Sequence, residues 1–148
     1  MVNRSARMPA THLISSSALN IVINAEARNN GATFTIRSKA TGKDFTYAIS
    51  RSEYMGKWYT HVKVEQSYLN FVRLGTYFRG RITNKRNEVH TPASDAIAFA
   101  LAKVEAGQAE WLDTVMETMH TGHCLRCGRP LTDANSIERG LGPTCAHL

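Results

Sequence analysis

Apolar and polar residues alternate along the middle of the chain and then change period near Thr91. From Thr33 to Arg37, Phe34 and Ile36 alternate with polar positions. From Asp44 to Ser50, Phe45, Tyr47 and Ile49 do the same, and Ala40-Thr41-Gly42-Lys43 lies between the two runs. Two alternating runs joined by a Gly-containing turn predict a β-hairpin. Trp58–Val64 predicts a third strand, with Trp58, Thr60, Val62 and Val64 on one face. Tyr68–Leu74 and Tyr77–Ile82 predict a fourth and fifth, broken at Gly75. The short apolar run Ala18–Asn24 reads as a first strand, and Asn29-Asn30-Gly31 as a turn. Thr83–His90 reads as a polar loop.

Past Thr91 the period becomes helical. Thr91 is placed to cap and Pro92 to occupy the first helical position. Ile97, Leu101 and Val104 share one helical face, and Gly107 stops the run. Trp111, Val115 and Met119 recur every four residues and predict a second helix over Ala109–Met119. By element order the fold class is α+β: a small antiparallel β-sheet followed by one or two helices and a C-terminal zinc knuckle. The expected organisation is a flexible N-terminal arm (1–17), a basic β-rich domain (18–90), a helical segment (91–119) and a zinc-binding knuckle (120–148).

Charge sharpens this division. The chain carries a formal net charge of +6, spread unevenly. Residues 51–90 hold eight Lys and Arg against three acids, whereas residues 91–119 hold one Lys against five acids. A basic first two-thirds favours polyanionic partners. No apolar run approaches the ~18 residues of a membrane span, and no signal-like stretch follows the N-terminal arginines. The expectation is a cytoplasmic protein that does not engage a membrane.

All three cysteines fall in the last 25 residues. An odd, clustered set beside histidines suits a metal better than a disulfide framework. Cys124-x-x-Cys127 lets two thiolates from one tight turn reach one ion, and a 17-residue gap leads to Cys145. Gly128 stands where the backbone must turn around the metal. Asp133 is placed to cap a short helix, Ala134–Arg139, ended by Gly140. Structural Zn2+ takes four ligands, so the fourth is a histidine: His120 first, then His147, then His123, which is strained by adjacency to Cys124. Three thiolates and a neutral imidazole leave such a site at net −1, so a polyanion would bind elsewhere. The His-x-Glu…Pro-Cys-x-x-Cys deaminase pattern, Gly-rich phosphate loops and nucleophile elbows are absent from the sequence, and the expectation is a protein that is not an enzyme.

The run His120…Cys124-x-x-Cys127-Gly128-Arg129-Pro130-Leu131-Thr132-Asp133…Ser136-Ile137…Gly140-Leu141-Gly142-Pro143…Cys145 resembles the C-terminal motif of a family of small phage and prophage proteins. These carry a zinc-knuckle-like domain of unknown function. The resemblance implies phage or prophage origin, residence in the host cytoplasm and zinc binding. A histidine shortly before the first cysteine is part of that motif, which supports His120. It implies no activity.

Nine of the twelve aromatics lie between Phe45 and Phe78, interleaved with Arg51, Lys57, Lys63, Arg73, Arg79 and Arg81. Aromatics that stack bases beside cations that track phosphates are how sheet domains hold single strands. Alternation puts Tyr59, His61 and Lys63 on the face opposite Trp58 and Val62. The candidate contacts to DNA or RNA, or to a host protein, are Tyr59, Lys63, Arg79, Arg81, Lys85 and Arg86. The alternative expectation is an inhibitor or adaptor that acts on a host or anti-phage factor.

Overall fold

The computed structural model of the chain describes residues 12–23 and 29–142. One antiparallel sheet of eight strands dominates it: β1 (His12–Ile14), β2 (Asn29–Ser38), β3 (Asp44–Tyr54), β4 (Lys57–Ser67), β5 (Asn70–Phe78), β6 (Arg81–Asn84), β7 (Asn87–Glu88) and β8 (Met116–His120). Four short helices accompany it: α1 (Asn20–Ile23), entered through a 3-10 turn at Ser16–Leu19, α2 (Pro92–Glu105), α3 (Ala109–Val115) and α4 (Ala134–Arg139). Strands β2 to β7 form a meander. After β7, α2 and α3 return the chain across the sheet, so that β8 inserts between β1 and β2.

The predicted alternation sets the two faces. Phe34, Tyr47, Ile49, Val62 and Ile82 are buried on one face, and Ile97 and Leu101 of α2 and Leu112 of α3 complete the core above them. The Tyr47 hydroxyl donates to the Ala93 carbonyl at 2.6 Å and ties β3 to the start of α2. Burial pushes the Tyr47 phenol up, well out of its ordinary range. Thr91 caps α2 as expected: its hydroxyl accepts from the Ser94 amide, and the Ser94 hydroxyl accepts from the Thr91 amide.

Five expectations are corrected. Ala18–Ile23 is helical rather than a strand, because Leu19 and Val22, three residues apart, are both fully buried. Ser15 caps that turn, and the Asp113 carboxylate accepts from the Ser16 amide at 3.0 Å and the Ser16 hydroxyl at 2.6 Å. His12–Ile14, expected within a flexible arm, pairs with β8. Residues 116–120, expected as helix up to Met119, form β8, since this segment pairs with strands on both sides; pairing partners distant in sequence override a helical spacing. Finally, β5 runs through Gly75 as one strand, and the polar loop after Thr83 is the short hairpin β6–β7.

Gly75 shows why the break was expected and why none occurs. It sits at a bulge opposite Val62, with φ +153°. A Cβ there would lie 2.3 Å from the Thr83 carbonyl oxygen of the neighbouring strand. Glycine therefore permits close approach inside the sheet rather than ending a strand.

Candidate nucleic-acid interface and cysteine knuckle

The sheet face opposite the core carries a different lattice. Strand register places Ser52 beside Tyr59, and Phe78 beside Arg81. The next row runs Ser50, His61, Thr76, Thr83. The next holds Ala48, Lys63 and Arg73, and beyond it Glu65 faces Phe71. Lys63, Arg73, Phe78, Arg81 and Thr83 are exposed. The buried helix side chains join the core on the other face.

Lys63 and Arg73 stand directly opposite one another on paired strands. Like charges in that position destabilise a sheet by some tenths of a kcal/mol or more. Arg73 swings toward its other neighbours: Nη1 approaches His61 Nδ1 at 3.4 Å, and Nη2 donates to the Thr76 hydroxyl at 3.1 Å. His61 Nε2 lies 3.0 Å from the Ser52 hydroxyl, and the ring stacks on Tyr59 with centroids 6.5 Å apart. Burial, then Arg73 and Lys63, hold the imidazole below its ordinary range. It is therefore the neutral member of a polar, cation-rich network.

Of the six residues expected to contact a partner, three lie on this face and three in turns at the sheet edge. Tyr59 and Lys63 are on β4, and Arg81 is on β6. Arg79 lies in the β5–β6 turn, its guanidinium 5.1 Å from the centre of the Phe78 ring. Lys85 and Arg86 form the β6–β7 turn, both with positive φ (51° and 72°). Arg73 and His61 complete the central cluster and were not among the six. Alternation along β4 already places His61 on this face, whereas Arg73 joins it through the cross-strand register, displaced by the bulge near Gly75, which no short-range pattern displays. Arg51, in contrast, turns inward to the Thr60 hydroxyl and packs 5.9 Å from the Trp58 ring, so it belongs to the core face.

After β8 the chain forms a tight knuckle. The Cys124 amide donates to the Arg129 carbonyl at 2.8 Å, and the Gly128 amide to the Cys124 carbonyl at 2.9 Å. A bridge joins His123 to Pro130. Gly128 has φ +78° and makes the turn predicted for it. Leu125, from the knuckle's tip, is fully buried in the core. Asp133 caps α4 through the Ser136 amide, and Gly140 ends it, both as expected.

The Cys124 sulfur accepts from the Arg126 and Gly142 amides, each at 3.4 Å. Burial pushes this thiol up, but hydrogen bonds from the Cys127, Gly142 and Arg126 amides and the Cys127 thiol bring it down to about 7. Amides aimed at sulfur favour thiolate, the form that binds metal. Cys127 is exposed beside it. Cys145 and His147 lie outside the described residues. Among the described residues no three His, Cys, Asp or Glu side chains are grouped to hold one ion. His120 closes β8 rather than a helix. It is fully buried, accepts from the Gly122 amide at Nδ1 (2.9 Å) and meets the Ile137 carbonyl at Nε2 (2.6 Å). Both ring nitrogens are thus engaged within the protein. His123 contacts the Thr121 hydroxyl through Nδ1 at 3.2 Å.

Among the described residues no helix is long and apolar enough to cross a membrane. Comparison with curated proteins and with solved structures gave no match. Residues 115–148, from the end of α3 through the knuckle, match a family of unknown function (DUF6011).

Proposed function

We propose that this is a single-stranded nucleic-acid-binding protein that uses the open face of its sheet, with a structural zinc ion pinning the C-terminal knuckle. The observation that carries the first part is the apposition of Lys63 and Arg73 across paired strands. Two like charges held opposite each other on a face of hydroxyls and aromatics lower stability in isolation, and a phosphate bridging them removes that cost. Tyr59, His61 and Phe78 offer ring faces to bases, and Arg79 and Arg81 extend the cationic track toward the sheet edge.

The zinc reading rests on the Cys124–Cys127 turn with its amide-to-sulfur hydrogen bonds, and on Cys145 downstream. When bound, the ion would cross-link the knuckle to the chain terminus and supply folding free energy. For the fourth ligand, His120 would have to release one of its two hydrogen bonds, to Gly122 or to Ile137, whereas His123 keeps Nε2 available and His147 follows Cys145 by two residues. The phage origin implied by the motif fits an accessory role, with DNA or RNA as partner.

The test is anisotropy titration of labelled single-stranded DNA and RNA across a salt series, on zinc-loaded protein. Binding that weakens steeply with salt is expected, with a slope that falls by about 0.7 for each phosphate contact removed. No binding of either strand at low salt overturns the reading. Zinc is checked separately by metal content: one equivalent per chain, lost in Cys145→Ser, is the expected result.

A second reading has its own observation. Phe99 and Trp111 are exposed on α2 and α3, with ring centroids 6.1 Å apart, and Lys103 lies over both rings. An exposed aromatic pair of this kind suits an apolar or aromatic anchor on a host protein. Capture of such a partner that survives nuclease and is lost in Trp111→Ala supports this reading over the first.

A further inference from the structure

The open face ends in a cavity of about 350 Å3. Thr33, Thr35 and Thr46 form its floor. Tyr68 of the β4–β5 turn and Phe71 of β5 form one wall, and the knuckle, at Thr121, His123, Cys124 and Gly128, forms the other, so the cavity borders the cysteine turn. We propose that this cavity receives one nucleobase of a single strand whose neighbouring phosphate lies on Lys63 and Arg73. The proposal rests on the sheet-face reading above and assigns that surface a fixed register on the strand.

Size, charge and spacing each support it. The volume is at the lower end for small-ligand pockets, which suits one base rather than a larger cofactor. Among the described residues that line it, Glu65 carries a negative charge, and no lysine or arginine is present. A phosphate is therefore disfavoured inside, and a neutral heterocycle is not. The cations stand one row away: Glu65 pairs with Phe71, and two residues along β4, on the same face, Lys63 pairs with Arg73. Two residues of strand span about 6.6 Å, the scale that separates a base from its own phosphate.

The walls suit a base as well. Tyr68 and Phe71 present ring faces, which stack any base, and the threonine hydroxyls both donate and accept. The Thr35 and Thr46 hydroxyls bond each other at 2.7 Å and close the floor. The rim includes a residue in the left-handed region. Leu69 is exposed with φ +56°, and its amide donates to the Glu65 carboxylate at 3.1 Å. Glu65 thus fixes the turn that carries Tyr68, which accounts for a carboxylate on a basic face.

The experiment uses zinc-loaded full-length chain and a 5′-labelled octathymidylate, read by anisotropy over a salt series. Thr33→Phe fills the cavity from its floor. It is expected to weaken binding about tenfold or more with the salt slope unchanged. Phe71→Ala is expected to weaken it similarly by removing a stacking wall. The double variant Lys63→Gln/Arg73→Gln is expected to lower the slope by about 1.4 instead. Scanning one abasic position through the strand should show a single position whose base matters most, and that dependence should vanish in Thr33→Phe. If wild-type protein binds the strand and neither Thr33→Phe nor Phe71→Ala, both folded by circular dichroism, weakens it, the cavity proposal is overturned while the sheet-face reading stands. If wild-type protein binds no strand at low salt, both fall together.

Discussion

The two faces of the sheet are made from the same strands yet obey opposite rules. On the covered face, Phe34, Tyr47, Ile49, Val62 and Ile82 are buried together beneath α2 and α3. On the open face, Lys63 and Arg73 oppose each other, and Tyr59, His61, Arg73 and Thr76 form a polar network. One face is arranged for stability. The other keeps an arrangement that stability alone would discard, and such local conflict is where function is usually found.

The comparison breaks most sharply under truncation. Phe34→Ala on the covered face removes a fully buried ring and should cost about 3–5 kcal/mol in urea unfolding. Arg81→Gln on the open face should stay within about 0.5 kcal/mol while weakening nucleic-acid binding. Comparable losses from the two variants would show that the open face is structural. Gly75→Ala comes next. Its Cβ would meet the Thr83 carbonyl at 2.3 Å, in a backbone conformation that side chains rarely adopt, so a loss of about 3 kcal/mol is expected. That loss would appear in both stability and binding, because the bulge sets the Lys63–Arg73 register.

Much of this contrast was legible in the chain. Alternation through Phe45, Tyr47 and Ile49, and through Trp58 to Val64, assigned faces correctly, since each residue's face follows from strand period alone. The cap at Thr91 and the α4 boundaries at Asp133 and Gly140 were equally local. What escaped was non-local. Met116–His120 becomes a strand because β1 and β2 need a partner, and the 1–17 arm contributes β1 for the same reason. Arg73 joins His61 only through a bulged register. The bonds that His120 makes to Gly122 and Ile137 are likewise not displayed by its spacing from Cys124. Cys145, the third cysteine of the sequence, lies outside the described residues.

A smaller effect separates stability from function at a single turn. Lys85 and Arg86 occupy the two left-handed positions of the β6–β7 turn, where Asn-Gly is strongly preferred. The double variant Lys85→Asn/Arg86→Gly should raise stability by about 1 kcal/mol. If these cations contact phosphate, the same variant binds strands more weakly with a shallower salt slope. A gain in stability with unchanged binding would remove the turn from the interface and leave the central rows.

The smallest effect concerns pH and has opposite signs for the two properties. His61 faces Arg73 through Nδ1 and Ser52 through Nε2, with Lys63 close enough to oppose its charge. Arg73 can donate only to an unprotonated Nδ1, so this geometry holds the neutral ring. The folded-state pKa is therefore below the unfolded value near 6.5. Below that pH the unfolded chain takes up a proton that the folded chain resists, and stability declines as pH falls from about 7 toward the folded pKa. His61→Gln should flatten that part of the stability curve without changing it above pH 7. A phosphate on Lys63 and Arg73 neutralises the charges that oppose imidazolium, so a bound strand favours the protonated ring. Affinity for single strands should accordingly rise over the same interval in which stability falls. Wild-type affinity that is flat across that interval, with the stability decline intact, would place the bound phosphates away from the His61–Arg73 pair.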